Sequence, residues 1–164
     1  ITPEVEALRR QFGFPGMKVL QFAFAEGAEV YLPHTYEPDC VVYTATHDND
    51  TTQGWYQAQG PDYAHMDREA LARERDKARR YLARDGADVH MDFIRLAFSS
   101  VADTAIVPMQ DVLGLGNDAR MNRPGQSDGQ WTWRLAPGQL SSAPADRLRE
   151  MVWLYGRESV TAGP

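Results

Sequence analysis

Residues 41–52 of this 164-residue chain have the sequence VVYTATHDNDTT. The stretch begins with β-branched and aromatic residues, which is typical of a buried strand, and it then delivers His47 and Asp48. A buried strand with such a pair at its carboxyl end is the arrangement of an α/β active site. Because side chains alternate along a strand, Asp48 and Asp50 would share one face if the strand continued that far. The alternative is a polar loop whose Asp and Asn residues stabilise turns.

The segments on either side predict alternating helices and strands. Helices are expected at about 3–11, 67–84, 91–102 and 144–154, with a short helical turn at 111–115. Strands are expected at 17–24, 40–46 and 104–110, and a loop at 47–61. Strands separated by helices or long connections indicate an α/β fold with a parallel sheet. Residues 1–158 show no internal domain boundary, and 159–164 are expected to form a loose tail.

Composition and charge restrict the class of protein. The chain is 43% hydrophobic and 24% charged, as in ordinary globular proteins, and its net charge of −6 argues against a nucleic-acid partner. Its single cysteine, Cys40, cannot form an internal disulfide, so we expect a core residue and a reducing, cytoplasmic location. No apolar run approaches the ~20 residues of a membrane helix, and the chain does not open with a signal peptide, so no membrane partner is expected.

The polar run does not match a metal or cofactor site. Counted from Asp48, a calcium-binding EF-hand loop requires Gly at the sixth position and Glu at the twelfth, but Gln53 and Gln59 occupy them. The other three histidines show no zinc-ligand spacing. The Gly-Leu-Gly at 114–116 lacks the third glycine and the acidic partner of a dinucleotide fingerprint, so it predicts a turn. We therefore expect no metal and no cofactor.

Two tryptophans, Trp131 and Trp133, follow a polar loop at 120–125. Loop amides and indole faces suit sugars, because the amides bind hydroxyls and the indole covers an apolar ring face. The alternative is that the two rings, two residues apart, pack against one side of a strand. Burial statistics favour this second interpretation.

Taken together, the segments resemble the 4-α-glucanotransferases of glycoside hydrolase family 77, called amylomaltases or disproportionating enzymes. The motifs that carry the resemblance are 13–24 (GFPGMKVLQFAF), 31–34 (YLPH), 42–52 (VYTATHDNDTT), 108–116 (PMQDVLGLG), 119–122 (ARMN) and 131–135 (WTWRL). Small departures from the family pattern stand at Thr35, Ala45 and Gln53. The resemblance implies that the chain is the C-terminal part of a TIM (β/α)8 barrel, about strands six to eight with their helices.

The family resemblance also implies a function and a set of site residues. The reaction would transfer α-1,4-glucan segments between maltodextrins with retention of configuration. Asp48 matches a third catalytic carboxylate that binds ring hydroxyls, and His47 matches its neighbour on the same sugar. Asn122 lies on the family's acceptor-side loop, and Phe22 matches an aromatic residue of the cleft. Trp55, which lies in the segment after the seventh strand, is a further expected substrate contact.

The family's nucleophile and its acid/base glutamate belong to the ends of the fourth and fifth strands, upstream of the motif that residues 1–5 continue. We therefore expect the isolated segment to lack both groups and to be inactive in transglycosylation. A non-catalytic remnant that still binds maltodextrin is the alternative. A helix-rich interaction segment without a ligand is a third possibility.

Overall fold

A three-stranded parallel sheet lies at the centre of the computed structural model, which describes residues 2–57 and 67–158. The strands follow the chain order, with β1 at Gly16–Val19, β2 at Cys40–Tyr43 and β3 at Thr104–Ile106. The predicted α/β class with a parallel sheet is confirmed.

The register of the sheet brings the ends of its three strands together. Tyr43, the last residue of β2, pairs with Val19 of β1 on one side and with Ile106 of β3 on the other. Parallel strands that end in register release their following loops at one edge of the sheet. The segments after Val19, Tyr43 and Ile106 are therefore neighbours.

Helices surround the sheet, and the four long ones lie within a few residues of their predicted positions. The α-helices are α1 (Pro3–Gln11), α2 (Thr52–Gln57), α3 (Arg68–Leu82), α4 (Val89–Ser99), α5 (Met109–Val112) and α6 (Ser142–Leu154). Shorter 3-10 turns occupy Leu20–Phe24, Glu29–Tyr31, Pro33–Thr35 and Asn117–Ala119.

Local capping chemistry accounts for the bounds of the charged helix α3. The Asp67 carboxylate accepts hydrogen bonds from the backbone N–H groups of Glu69 and Ala70, which satisfies donors of the first turn. At the other end Ala83 adopts a left-handed conformation and stops the helix.

The hydrophobic core divides into two clusters that share α4. One face of α4 packs on the sheet and on α2, and this cluster contains Leu20, Phe24, Val42, Trp55, Val89, Phe93 and Ala97. The other face meets α5 and α6, through Met91, Ile94, Val112 and Met151. Because α4 contacts the sheet through one face and α5 and α6 through the other, it fixes the position of α5 and α6 relative to the sheet.

The first strand is shorter than predicted. It ends at Val19, and Leu20–Phe24 forms a 3-10 turn where the sequence pattern predicted a continuing strand. Leu20, Ala23 and Phe24 are buried, and a helical turn places such i, i+3 and i+4 residues on one side, which a strand does not.

The second strand is also shorter than predicted, and part of the loop expected at 47–61 is helical. Strand β2 ends at Tyr43, so the expected alternation that would place Asp48 and Asp50 on one strand face is wrong. Helix α2 begins at Thr52 because the Thr51 hydroxyl accepts a hydrogen bond from the N–H of Gly54 at 3.0 Å, as an N-cap does.

The chain after β3 also differs from the predicted pattern, which placed a strand at 104–110 and a strand face at 131–135. Strand β3 ends at Ile106, because Pro108 has no N–H to donate to a sheet. Helix α5 follows Pro108 directly and starts two residues before the expected helical turn. The segment 131–135 is not a strand, so the expected packing of its tryptophans on a strand face is wrong.

Some expectations fall outside the described residues, namely the end of the loop at 58–61 and the tail at 159–164. Among the helices that the structure describes, none has the length and apolar character to traverse a bilayer.

A paired substitution tests the packing around α5. Gly114 has φ +64°, and an added Cβ would lie 2.8 Å from the His90 ring; Gly13 has φ +65° with open space around it. Both Gly→Ala changes carry the left-handed backbone penalty of about 1 kcal/mol. We expect Gly114→Ala to lower the free energy of unfolding by about 1 kcal/mol more than Gly13→Ala, because only Gly114→Ala displaces the ring. Urea unfolding of both variants measures the difference, and equal losses would contradict the packing.

Candidate active site at the carboxyl ends of the strands

The polar loop between β2 and α2 carries the predicted site. Asn49 organises it, because its side-chain oxygen accepts hydrogen bonds from the hydroxyl and the N–H of Thr46 at 2.6 and 3.0 Å. The Thr46 hydroxyl in turn accepts the N–H of Asp48 at 3.3 Å. This turn leaves the side chains of His47 and Asp48 about half-exposed to solvent.

Three of the predicted site residues meet at one carboxylate. Asn122 donates its amide N–H to Asp48 Oδ1 at 2.6 Å, and His47 Nε2 lies 3.3 Å from the same oxygen. Within residues 2–57 and 67–158, the second oxygen of Asp48 has no hydrogen-bond partner. The carboxylate is therefore oriented through one oxygen and can accept hydrogen bonds from a ligand through the other.

An ion pair between Arg120 and Asp50 joins the loops that follow β2 and β3. The two side chains are only 10% and 15% exposed, and Arg120 also donates to the carbonyl oxygen of Asp48 at 3.0 Å. Gln21, from the turn after β1, donates to the carbonyl of Asp50 at 2.8 Å. The chain after each of the three strands thus supplies one residue, Gln21, Asp50 or Arg120, to the support of the Asp48 loop. The sequence analysis did not identify this role for any of the three.

Trp131 completes the exposed surface of the site. Its ring centroid lies 5.0 Å from that of His47, and 51% of the residue is exposed. Its backbone has φ +60°, and its N–H donates to the carbonyl of Met121 at 2.7 Å. An exposed aromatic ring beside an oriented carboxylate suits a sugar. The sequence offered this interpretation of Trp131, although burial statistics favoured packing.

The two other predicted aromatic contacts, Phe22 and Trp55, each pack against other aromatic rings. Phe22 is 43% exposed on the turn after β1, and its ring packs edge-on against Tyr31 at 5.6 Å. Trp55 is only 8% exposed and packs against Phe24 and Phe93 in the core. In this arrangement Trp55 anchors α2 in the core, and its predicted substrate contact stays a prediction.

A second carboxylate, Asp111, lies buried below the loop. Burial raises its pKa, while hydrogen bonds from Thr44 and Thr52 act in the opposite direction. Asp111 lines a pocket of about 100 Å³ together with loop residues including Thr46, His47 and Asp50. From the sequence alone, Asp111 is predicted only as the first residue of a short helical turn.

The arrangement suits hydrogen bonding to a polyhydroxylated ligand. Among the described residues, no three His, Cys, Asp or Glu side chains are grouped as a metal ion would require. What the site presents is one oriented carboxylate, an imidazole, an amide and an indole face.

The family model for 4-alpha-glucanotransferase matches residues 1–141. Similar proteins include the 4-alpha-glucanotransferases of Thermus thermophilus, 51% identical over 92% of this chain, and of Synechocystis, 48% identical over 96%. The chloroplastic/amyloplastic 4-alpha-glucanotransferase of Arabidopsis thaliana is 47% identical over 96%. The expected cytoplasmic location stays a prediction, since that relative has a plastid description.

The fold also matches a solved structure, the amylomaltase of Streptococcus agalactiae in complex with acarbose. The TM-score is 0.82 at 30% sequence identity, over 95% of this chain and 30% of that one. The chain likewise spans 30% of the length of the Thermus and Synechocystis relatives and 26% of the Arabidopsis one.

The Arg120–Asp50 ion pair can be tested by stability. Arg120→Met removes the ion pair with the largely buried Asp50 and the hydrogen bond to the carbonyl of Asp48, and we expect the free energy of unfolding to fall by about 2 kcal/mol. Arg134→Met is the control, because Arg134 is exposed and, among the residues that the structure describes, donates to the neighbouring carbonyls of Trp131 and Trp133 alone. Adding Asp50→Asn to Arg120→Met should restore part of the loss. Equal effects of the two arginine substitutions in urea unfolding would contradict the support role.

Proposed function

The chain belongs to the 4-alpha-glucanotransferase family, and from that premise we propose that it is a segment of a larger enzyme that transfers α-1,4-glucan chains between maltodextrins. The observation that carries the proposal is the carboxylate of Asp48, oriented by His47 and Asn122 through one oxygen and open through the other. In the proposed complex that open oxygen binds sugar hydroxyls.

We further propose that β1, β2 and β3 are about strands six to eight of a TIM barrel. Their parallel pairing in chain order and the helices between them support this assignment. The site lies where barrel enzymes place theirs, at the carboxyl ends of the strands. In that barrel, β1 would pair with the fifth strand and β3 with the first strand.

The proposed reaction is a retaining double displacement. A nucleophilic carboxylate attacks the anomeric carbon, the acid/base group protonates the leaving sugar, and an acceptor sugar hydroxyl then displaces the enzyme and returns a proton to that group. We place the nucleophile and the acid/base group outside this segment. Asp48 would hold the sugar between them, with hydrogen bonds that strengthen as the ring distorts.

A maltodextrin-binding remnant without catalysis is the second candidate. The exposed indole of Trp131 beside His47 favours it, because both groups lie within this segment. Titration calorimetry of the isolated chain with maltoheptaose distinguishes the two: tight binding supports an independent module, whereas an open partial cleft should bind weakly.

The role of Asp48 predicts a large loss of activity in the full-length protein that carries this segment. Asp48→Asn keeps the shape but removes the charge, and we expect kcat for maltotriose disproportionation to fall by about 10²–10³. Asp118→Asn, an exposed change on the neighbouring 3-10 turn, should leave kcat unchanged. Glucose release and the maltodextrin ladder measure both. Full activity in Asp48→Asn, or ladder formation by the isolated segment, would contradict the proposal.

The role of Trp131 predicts an effect on substrate binding. Trp131→Ala removes the aromatic face, so we expect KM for maltodextrins to rise about 2- to 10-fold with a smaller change in kcat. Trp153→Ala is the matched control, because Trp153 is also exposed but lies on α6. An unchanged KM in Trp131→Ala would remove this residue from the site.

A further inference from the structure

The buried carboxylate of Asp111 takes no part in the proposed chemistry, yet both of its oxygens accept hydrogen bonds from residues at the ends of the Asp48 loop. The residue is 1% exposed on α5, directly after β3. It accepts three hydrogen bonds, from the Thr44 hydroxyl at 2.5 Å, the Thr52 hydroxyl at 2.8 Å and the Thr52 N–H at 2.7 Å.

These three donors occupy the two ends of the Asp48 loop. Thr44 directly follows β2, and Thr52 is the first residue of α2. The two hydroxyls donate to the same oxygen of Asp111. The intervening residues 45–51, which include His47 and Asp48, therefore leave from and return to a single carboxylate. Fixing both ends restricts the loop, because the conformations open to a loop depend on the separation of its ends.

We propose that Asp111 is a positioning residue that clamps both ends of the 45–51 loop and so sets the place of Asp48 in the site. The inference rests on the proposed function for its effect on catalysis. Its structural part, the restriction of residues 45–51 by Asp111, stands apart from any activity.

The chemistry at position 111 requires a carboxylate. Thr52 donates its N–H to one oxygen, and the hydroxyls of Thr44 and Thr52 donate to the other. An amide has only one acceptor oxygen, so its NH₂ group must face either the hydroxyls or the Thr52 N–H. In the second orientation two donors face each other, and in the first both hydroxyls must turn to accept.

The decisive experiment is a double-mutant cycle in the full-length protein. Thr52→Val removes one hydroxyl with little change of shape, and Thr52→Ser retains it. If Asp111 acts through the Asp48 loop, Asp111→Asn and Thr52→Val should lower kcat about tenfold or more, and Thr52→Ser should restore most of it. In an Asp48→Asn background the same changes should cost little further, because the group being positioned is already gone. An equal loss of kcat in both backgrounds would overturn the positioning role.

Hydrogen–deuterium exchange separates this inference from the proposed function. Asp111→Asn and Thr52→Val should each raise the exchange of amides in 45–51 about tenfold, and Asp118→Asn should not. Faster exchange with unchanged kcat would uphold the restriction of the loop but contradict the positioning of Asp48 by Asp111, while the catalytic role of Asp48 itself is decided by Asp48→Asn. Unchanged exchange in both variants would overturn the clamp itself, whatever the activity. Thr52→Val keeps the test available if Asp111→Asn does not fold.

Discussion

The carboxylate of Asp111 is the constraint on which the geometry of the site depends. A buried negative charge is costly unless hydrogen bonds surround it, and Asp111 obtains three from Thr44 and Thr52. Those donors are 67 and 59 residues distant in sequence, so the bonds form only when β2, α2 and α5 are assembled. The hydrogen bonds that stabilise the charge of Asp111 are therefore the same bonds that hold the two ends of the Asp48 loop.

A second, outer set of interactions continues from this buried one. The ion pair of Arg120 with Asp50 and the hydrogen bond from the Gln21 side-chain amide to the Asp50 carbonyl connect the loops after all three strands. The parallel register makes this possible, because it ends the strands at one edge. Polar groups that are nearly buried hold the backbone, while His47 and Asp48 stay half-exposed for a ligand.

The sequence predicted those parts of the fold that local chemistry decides. Strand β2 followed from its β-branched run, and helix α3 lies within a few residues of its predicted position at 67–84, with Asp67 as the cap of its first turn. Leu20–Phe24 could not be assigned in the same way, since its apolar residues fit either a strand or a helical turn until the core partners are known. The site residues Asp48, His47 and Asn122 came from the family resemblance, and the structure brings them together.

What the sequence could not predict was the support of that site. Asp111 lies in a short helical turn, and Arg120 directly follows the 3-10 turn at Asn117–Ala119. Neither position has a periodicity that would mark it, because each is defined by partners far along the chain. A polar loop of seven residues has too few contacts of its own to hold one conformation. Its order must come from groups outside it, and two of these groups, Asp111 and Arg120, lie on the chain that follows β3.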